Sequence, residues 1–157
     1  MVSFLIAHLS IFIYVCTQLR VGAGILKFVC AELLPKWQSR PEKTPLECEA
    51  DVLDGCARIM LAQSQQMAIA KVLSSGKSFP NATLAKLLAG AYELMKDAAA
   101  SLRRLSKANF SRLDPSLLES VGFWLKLYQS LHYKYLSRVS YENEKYGEAT
   151  ALSRKAE

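Results

Sequence analysis

Apolar residues recur at helical spacing along almost the whole of this 157-residue chain, and nowhere do they alternate as a half-buried strand requires. Prolines and polar clusters cut the pattern into long pieces. A first helix is expected over roughly 3–19, and a second apolar stretch, 21–34, interrupted or kinked at Gly22 and Gly24, stops before Pro35. A polar loop follows at 38–43. Thr44-Pro45-Leu46-Glu47 puts Thr at the N-cap, Pro at the first helical position and Glu three residues after the cap, which predicts a helix from 45 to about 74 with Gly76 as its stop. Its stripe is Leu53, Cys56, Met60 and Met67, interrupted by Gln63.

Asn81, after Pro80, reads as the cap of a helix over about 81–105 whose inner face is Leu84, Leu87, Leu88, Ala91, Leu94, Met95, Ala98 and Leu102. The alanines around 98–100 suit a close helix approach. Asp114-Pro115 repeats the cap-plus-proline signal and opens a helix to about 142, where Leu117, Val121, Trp124, Tyr128, Leu131 and Tyr135 form a near-heptad seam. Lys145-Tyr146-Gly147-Glu148-Ala149 reads as a tight turn into a last helix, 147–156, with Gly147 allowing the close approach of a tetratricopeptide-like hairpin. The fold class is therefore all-α: long antiparallel helices with tetratricopeptide-like hairpins. The first helix begins without a cap and the last stops with the chain, so residues 1–157 read as one part of a larger helical domain.

The run from Val2 to Leu19 also raises a signal peptide or membrane anchor. It lacks a basic start, carries Ser3, His8, Ser10, Thr17 and Gln18, and its core, Phe4–Cys16, is short for a bilayer. A buried helix is the favoured reading, and 1–19 as signal or anchor stays open. The sequons at Asn81 and Asn109 matter only for a secreted chain.

Composition supplies no reactive chemistry. Hydrophobic residues are 51% and charged ones 22%, ordinary for a globular domain. Two histidines exclude a His-rich metal site, and Cys16, Cys30, Cys48 and Cys56 show no zinc spacing. Cys48 and Cys56, about 12 Å apart on a helix, are too far for a disulfide, so buried free thiols are expected. No nucleophile elbow, P-loop or dinucleotide fingerprint is present, and neither a cofactor nor a metal is implied. His8 and His132 read as packed or surface side chains, and Glu47/Glu49 and Glu142/Glu144 as caps and solvated faces. The net charge of +6 suits an acidic partner or an anionic membrane surface. Arg103, Arg104, Lys107 and Arg112 concentrate it, complementing a helix dipole or touching anionic lipid or an acidic helix; no reader motif points to nucleic acid. Trp124, Tyr128, Tyr133, Tyr135 and Tyr141 divide between core and a groove for a partner helix.

Four stretches, in order, resemble one family. Ile59-Met60-Leu61-Ala62-Gln63-Ser64-Gln65-Gln66 is similar to the "LAQAQE" helix of the Bro domain (Bro-one domain), the endosomal-targeting domain of Alix-like proteins. Leu19–Leu26 resembles its "lrkAAgiF" helix, Leu84-Ala85-Lys86-Leu87 its "IAKLA" helix start and Lys145–Ala149 its "KxGEAI" turn. The matches span roughly 19–156, a portion of a full Bro domain.

The resemblance implies a non-enzymatic, cytoplasmic, endosome-associated scaffold that binds the C-terminal amphipathic helix of an ESCRT-III subunit. The family's apolar patch for that helix carries over to Ala68, where the family has a Phe, and to Thr83 and Leu87, where it has an Ile and a Leu. The expected binding face is Met67, Ala68, Thr83, Leu84 and Leu87. The alternatives are a Bro-like adaptor in pH or stress signalling with a different partner, or a membrane-anchored or secreted helical protein.

Overall fold

The computed structural model describes residues 2–38, 44–75 and 78–157, with side chains from Ile11 onward. Six α-helices and no strand occur among them: α1 (Val2–Phe28), α2 (Ala50–Ser74), α3 (Asn81–Arg103), α4 (Lys107–Phe110), α5 (Pro115–Glu142) and α6 (Tyr146–Ala156). The all-α expectation holds.

Consecutive long helices run antiparallel. Cys16 of α1 meets Ser64 of α2 while Cys30, just past the end of α1, meets Ala50 at the start of α2; Gln65 meets Leu87 while Asp54 meets Ser101 across α2 and α3. His132 meets Ala85 and Asn81 meets Glu142 across α3 and α5, and Ser137 meets Ala149 across α5 and α6. The main core lies where α2, α3 and α5 converge. Val52, Ala62 and Ile69 meet Leu84, Leu88, Ala91, Met95 and Leu102 of α3 and Val121 and Tyr128 of α5. Burying a side chain of Leu or Met size contributes about 1.5–3 kcal/mol. The 117–135 seam is core as its spacing predicts, with Trp124 stacked on Tyr128 at 5.6 Å between ring centroids. The Tyr128 hydroxyl donates to Gln66 Oε1 at 2.9 Å, tying α5 to α2.

Close approach is set by small residues. Ala57, Ala62, Ala91 and Ala98 are fully enclosed, and a Cβ on Gly55 would stand 3.0 Å from Leu102. Of the three alanines at 98–100, Ala98 is buried, Ala99 half-buried and Ala100 exposed.

Four boundaries differ from the sequence expectation. First, α1 does not break at its glycines. Gly22 lies under Met60, whose sulfur would be 3.1 Å from a Cβ there, so its lack of a side chain serves packing. Gly24 faces open space, and one exposed glycine costs only about 1 kcal/mol relative to alanine, too little to end a helix supported by a neighbour. The chain continues through a π-helical turn at Val29–Leu33 and a 3₁₀ turn at Leu34–Lys36.

Second, Thr44-Pro45-Leu46-Glu47 opens a 3₁₀ turn, Leu46–Cys48, and not the long helix. Glu49 is extended at ψ 130°, its carboxylate accepts from Asn109 at 3.1 Å, and its carbonyl starts α2 by accepting from Val52 and Leu53. The tertiary contact to the α4 segment holds Glu49 out of the helix. Gly76 lies outside the described residues, and α2 ends at Ser74.

Third, Pro80 occupies the cap position of α3, and the Asn81 side chain instead donates to Glu142 at 2.6 Å. Asp114 does cap α5, accepting from the Ser116 N–H at 2.9 Å, which holds its carboxyl below the usual range. Fourth, Gly147 has open space around it, and the left-handed residue of the α5–α6 turn is Glu144, φ 61°. Ala149, not Gly147, is buried at that contact.

Candidate functional site

The helices α1, α2 and α3 enclose an open cleft of about 310 Å³. Leu61, Gln65 and Ala68 of α2 step by four and three and share a face; Leu87 and Leu94 of α3 are seven apart and share another; Cys16 and Arg20 of α1 are one turn apart on the third wall. The floor is apolar and the rim is cationic. Arg20 makes no hydrogen bond or ion pair among the described residues, leaving its guanidinium available to an anion.

Two contacts hold the walls together. Cys16 Sγ and Ser64 Oγ are 2.9 Å apart, which pins α1 to α2. Gln65 Nε2 donates to the Leu87 carbonyl at 2.6 Å, which pins α2 to α3. A Cβ on Gly90 would stand 2.5 Å from that amide nitrogen, so Gly90 makes the room through which Gln65 crosses.

The five sequence-predicted residues do not form one surface. Ala68 and Leu87 line the cleft. Leu84 is 4% exposed and belongs to the core, because the row 84–88–91–95 faces α2 and α5. Thr83 is exposed in the first turn of α3, and Met67 is half-buried; neither lines the cleft. The residues missed are Leu61, Gln65 and Leu94, whose spacing carried the signal, and Cys16, Ser64 and Arg20, whose proximity arises only when α1 docks.

The basic cluster is partly absorbed by structure. Arg104 pairs with Asp51 at 2.8 Å, and Arg112 donates to Asn109 at 3.3 Å. Asp54 accepts from Ser101 at 2.6 Å and Arg58 at 2.8 Å; burial pushes its pKa up, and these hydrogen bonds outweigh that and hold it below the usual carboxylate value. The Arg58 guanidinium also reaches Asp97 at 2.9 Å, so these charges clamp α2 to α3. His132 Nδ1 lies 2.9 Å from the Ala85 carbonyl and is a packing contact, whereas the side chain of His8 lies outside the described residues. All four cysteines are free and only half-buried, more open than the sequence suggested. Burial pushes the Cys56 thiol up in pKa, against nucleophilic use. Among the aromatics, Trp124 and Tyr128 are core, whereas Tyr141 and Tyr146 line a second cleft of about 460 Å³ between α5 and α6.

The cleft combines an apolar floor of leucine and alanine side chains with the guanidinium of Arg20 at its rim. The family model of the BRO1-like domain matches residues 14–157. The chain belongs to the BRO1-like domain family. No curated protein and no solved structure matches it. The BRO1-like match begins inside α1 and takes in all three walls of the cleft. At family level, a BRO1-like domain is a protein-binding scaffold of endosomal, ESCRT-related trafficking and is non-catalytic.

Proposed function

We propose that this BRO1-like domain binds the C-terminal amphipathic helix of an ESCRT-III subunit in the cleft between α1, α2 and α3, and acts from the cytoplasm at endosomes. The observation that supports this reading is the joint placement of Ala68 and Leu87 with Leu61 and Leu94 on one apolar floor beside Arg20. Leucines of a partner helix would lie on that floor, and an acidic residue would meet Arg20. Ala68 is small where the resemblance implies an aromatic, which leaves depth for a larger partner side chain; filling it with a Leu or Phe would contribute about 1.5–3 kcal/mol.

The segment Ile11–Lys36 is long and apolar enough to cross a membrane by length and composition. Only Ala23 and Leu34 of this segment are buried, so it is not the buried helix its sequence suggests; its contacts with α2 through Cys16 and Gly22, and the family match that runs through it, support a helix of the domain rather than an anchor.

The test is titration of the chain with labelled ESCRT-III tail-helix peptides, read by fluorescence anisotropy. Saturable binding that Leu87→Asp weakens by about tenfold or more is expected. Equal binding by Leu87→Asp and wild type removes the cleft as the site, and no binding to any tail peptide removes the reading.

A further inference from the structure

Of the basic cluster that follows α3, Arg104 and Arg112 have partners, whereas Arg103 and Lys107 are exposed and make no hydrogen bond or ion pair among the described residues. Arg103 lines a pocket of about 160 Å³ between α3, α4 and α5, which shares no residue with the cleft between α1, α2 and α3. Leu102 and Val121 are buried and form its bottom, Leu118 and Leu125 are half-buried on its wall, and Phe110 and Arg103 are exposed at its mouth. Lys107 precedes Phe110 by three residues, on the same side of α4.

Size, shape and charge decide what fits it. An apolar cavity of roughly 150 Å³ accepts a benzene ring. This pocket therefore takes one side chain of Phe or Leu size and not a whole helix. Gly122 stands on its wall in the interior of the 28-residue α5, where glycine is less stable than alanine. No neighbour requires the glycine, since a Cβ there would meet nothing within 4 Å. What the missing side chain does is keep the pocket open. No Asp or Glu lines the pocket. Of the acids nearby on the chain, Asp114 caps α5, and Glu119 lies about 100° round that helix from Leu118. A group entering the pocket meets the positive charge of Arg103 at its mouth.

We infer that this pocket is a second, separate anchor site, for a partner peptide that carries one Phe- or Leu-sized side chain with an Asp or Glu beside it. The apolar side chain enters over Gly122 and lies against Leu102, Leu118 and Val121. The carboxylate stays at the mouth and pairs with Arg103, with Lys107 adding to the attraction. Occupation of this site is independent of the tail helix assigned to the cleft.

The experiment uses the full chain and three short labelled peptides, read by fluorescence anisotropy. The first has a central Phe flanked by Glu, the second has Ala for that Phe, and the third has Lys for each Glu. The Phe-Glu peptide is expected to bind at least about tenfold more tightly than the Ala peptide, through the buried ring. It should exceed the Lys peptide by a similar factor, about tenfold, through Arg103. Gly122→Leu, which fills the pocket from its wall, should weaken the Phe-Glu peptide by about tenfold or more and leave ESCRT-III tail binding at the cleft unchanged. Leu87→Asp should leave the Phe-Glu peptide's affinity unchanged. Arg103→Glu removes no packing or pairing, so it keeps the test open if Gly122→Leu misfolds, and it should shift the preference toward the Lys peptide. Equal affinity for the Phe-Glu and Ala peptides, or for the Phe-Glu and Lys peptides, overturns the inference. So does a folded Gly122→Leu that binds as wild type does. Binding of free 3-phenylpropionate or of phosphatidylserine vesicles in place of the peptide, or a concentration-dependent dimer lost in Gly122→Leu, overturns it as well.

Discussion

Gln65 reaches across from α2 to donate a 2.6 Å hydrogen bond to the carbonyl of Leu87 on α3, passing through the space left by the missing side chain of Gly90. The same glutamine and leucine line the cleft, so one contact sets both the spacing of two helices and the shape of the site. Gly90→Ala separates these roles. The new methyl displaces the Gln65 amide, losing a hydrogen bond worth about 1 kcal/mol. Alanine returns about 1 kcal/mol of helix propensity. The two nearly cancel, and the clash is with the end of a flexible side chain. Denaturant unfolding of Gly90→Ala should therefore lie within about 1 kcal/mol of wild type. Tail-peptide affinity should fall, because the displaced amide projects into the cleft. An unchanged affinity would separate Gln65 from the binding surface.

Leu84 is a core residue, and its substitution should report on folding. At 4% exposure, Leu84→Ala removes packing that α2 and α5 share, and a loss of about 2–5 kcal/mol is expected by urea titration. Peptide affinity of the fraction that stays folded should match wild type. If Leu84→Ala is stable but binds peptide poorly, Leu84 acts at the surface after all.

The elements most legible in the sequence are those whose signals are local. Asp114-Pro115 caps α5 at the residue expected, and the 117–135 seam is core, because both depend on contacts within one helix or on its buried stripe. Thr44-Pro45-Leu46-Glu47 carries an equally good local signal and yields only a 3₁₀ turn, since Asn109, 60 positions away, holds Glu49 extended. The candidate site follows the same division. Ala68 and Leu87 were legible by resemblance, and Leu61 and Leu94 by spacing from them. Arg20 and Cys16 reach the cleft only through a contact between residues 48 apart, Cys16 and Ser64, which no periodicity announces.

Glu144 stores backbone strain at the α5–α6 turn. Its φ is 61°, and the hydrogen bonds from Lys145 to Ser140 and from Glu144 to Tyr141 close a left-handed helix end of the kind glycine usually occupies. A non-glycine residue there costs about 1–2 kcal/mol, and glycine's greater unfolded-state entropy offsets about half of that. Glu144→Gly should raise stability by about 0.5–1 kcal/mol. Glu144→Val, β-branched, should lower it. Thermal melts of the pair check the sign, and a destabilised glycine variant would show that the Glu144 side chain contributes more than its backbone costs.

Tyr128 links protonation to the helix core. Its ring is buried between α2, α3 and α5 and its hydroxyl donates to Gln66; burial pushes its pKa up from 10.0 to about 12. The folded state thus holds this proton more tightly than the unfolded chain does. The sign follows directly: the contribution is fully present below pH 10, and is lost as pH rises from 10 toward 12. A two-unit difference corresponds to about 2–3 kcal/mol as an upper bound. Unfolding free energies measured by denaturant between pH 8 and pH 11 should fall for wild type. Tyr128→Phe should begin about 1 kcal/mol lower, through the lost hydrogen bond, and fall less steeply over the same range. Equal slopes for the two proteins would place the alkaline loss on other tyrosines and lysines, and would detach the α5–α2 hydrogen bond from it.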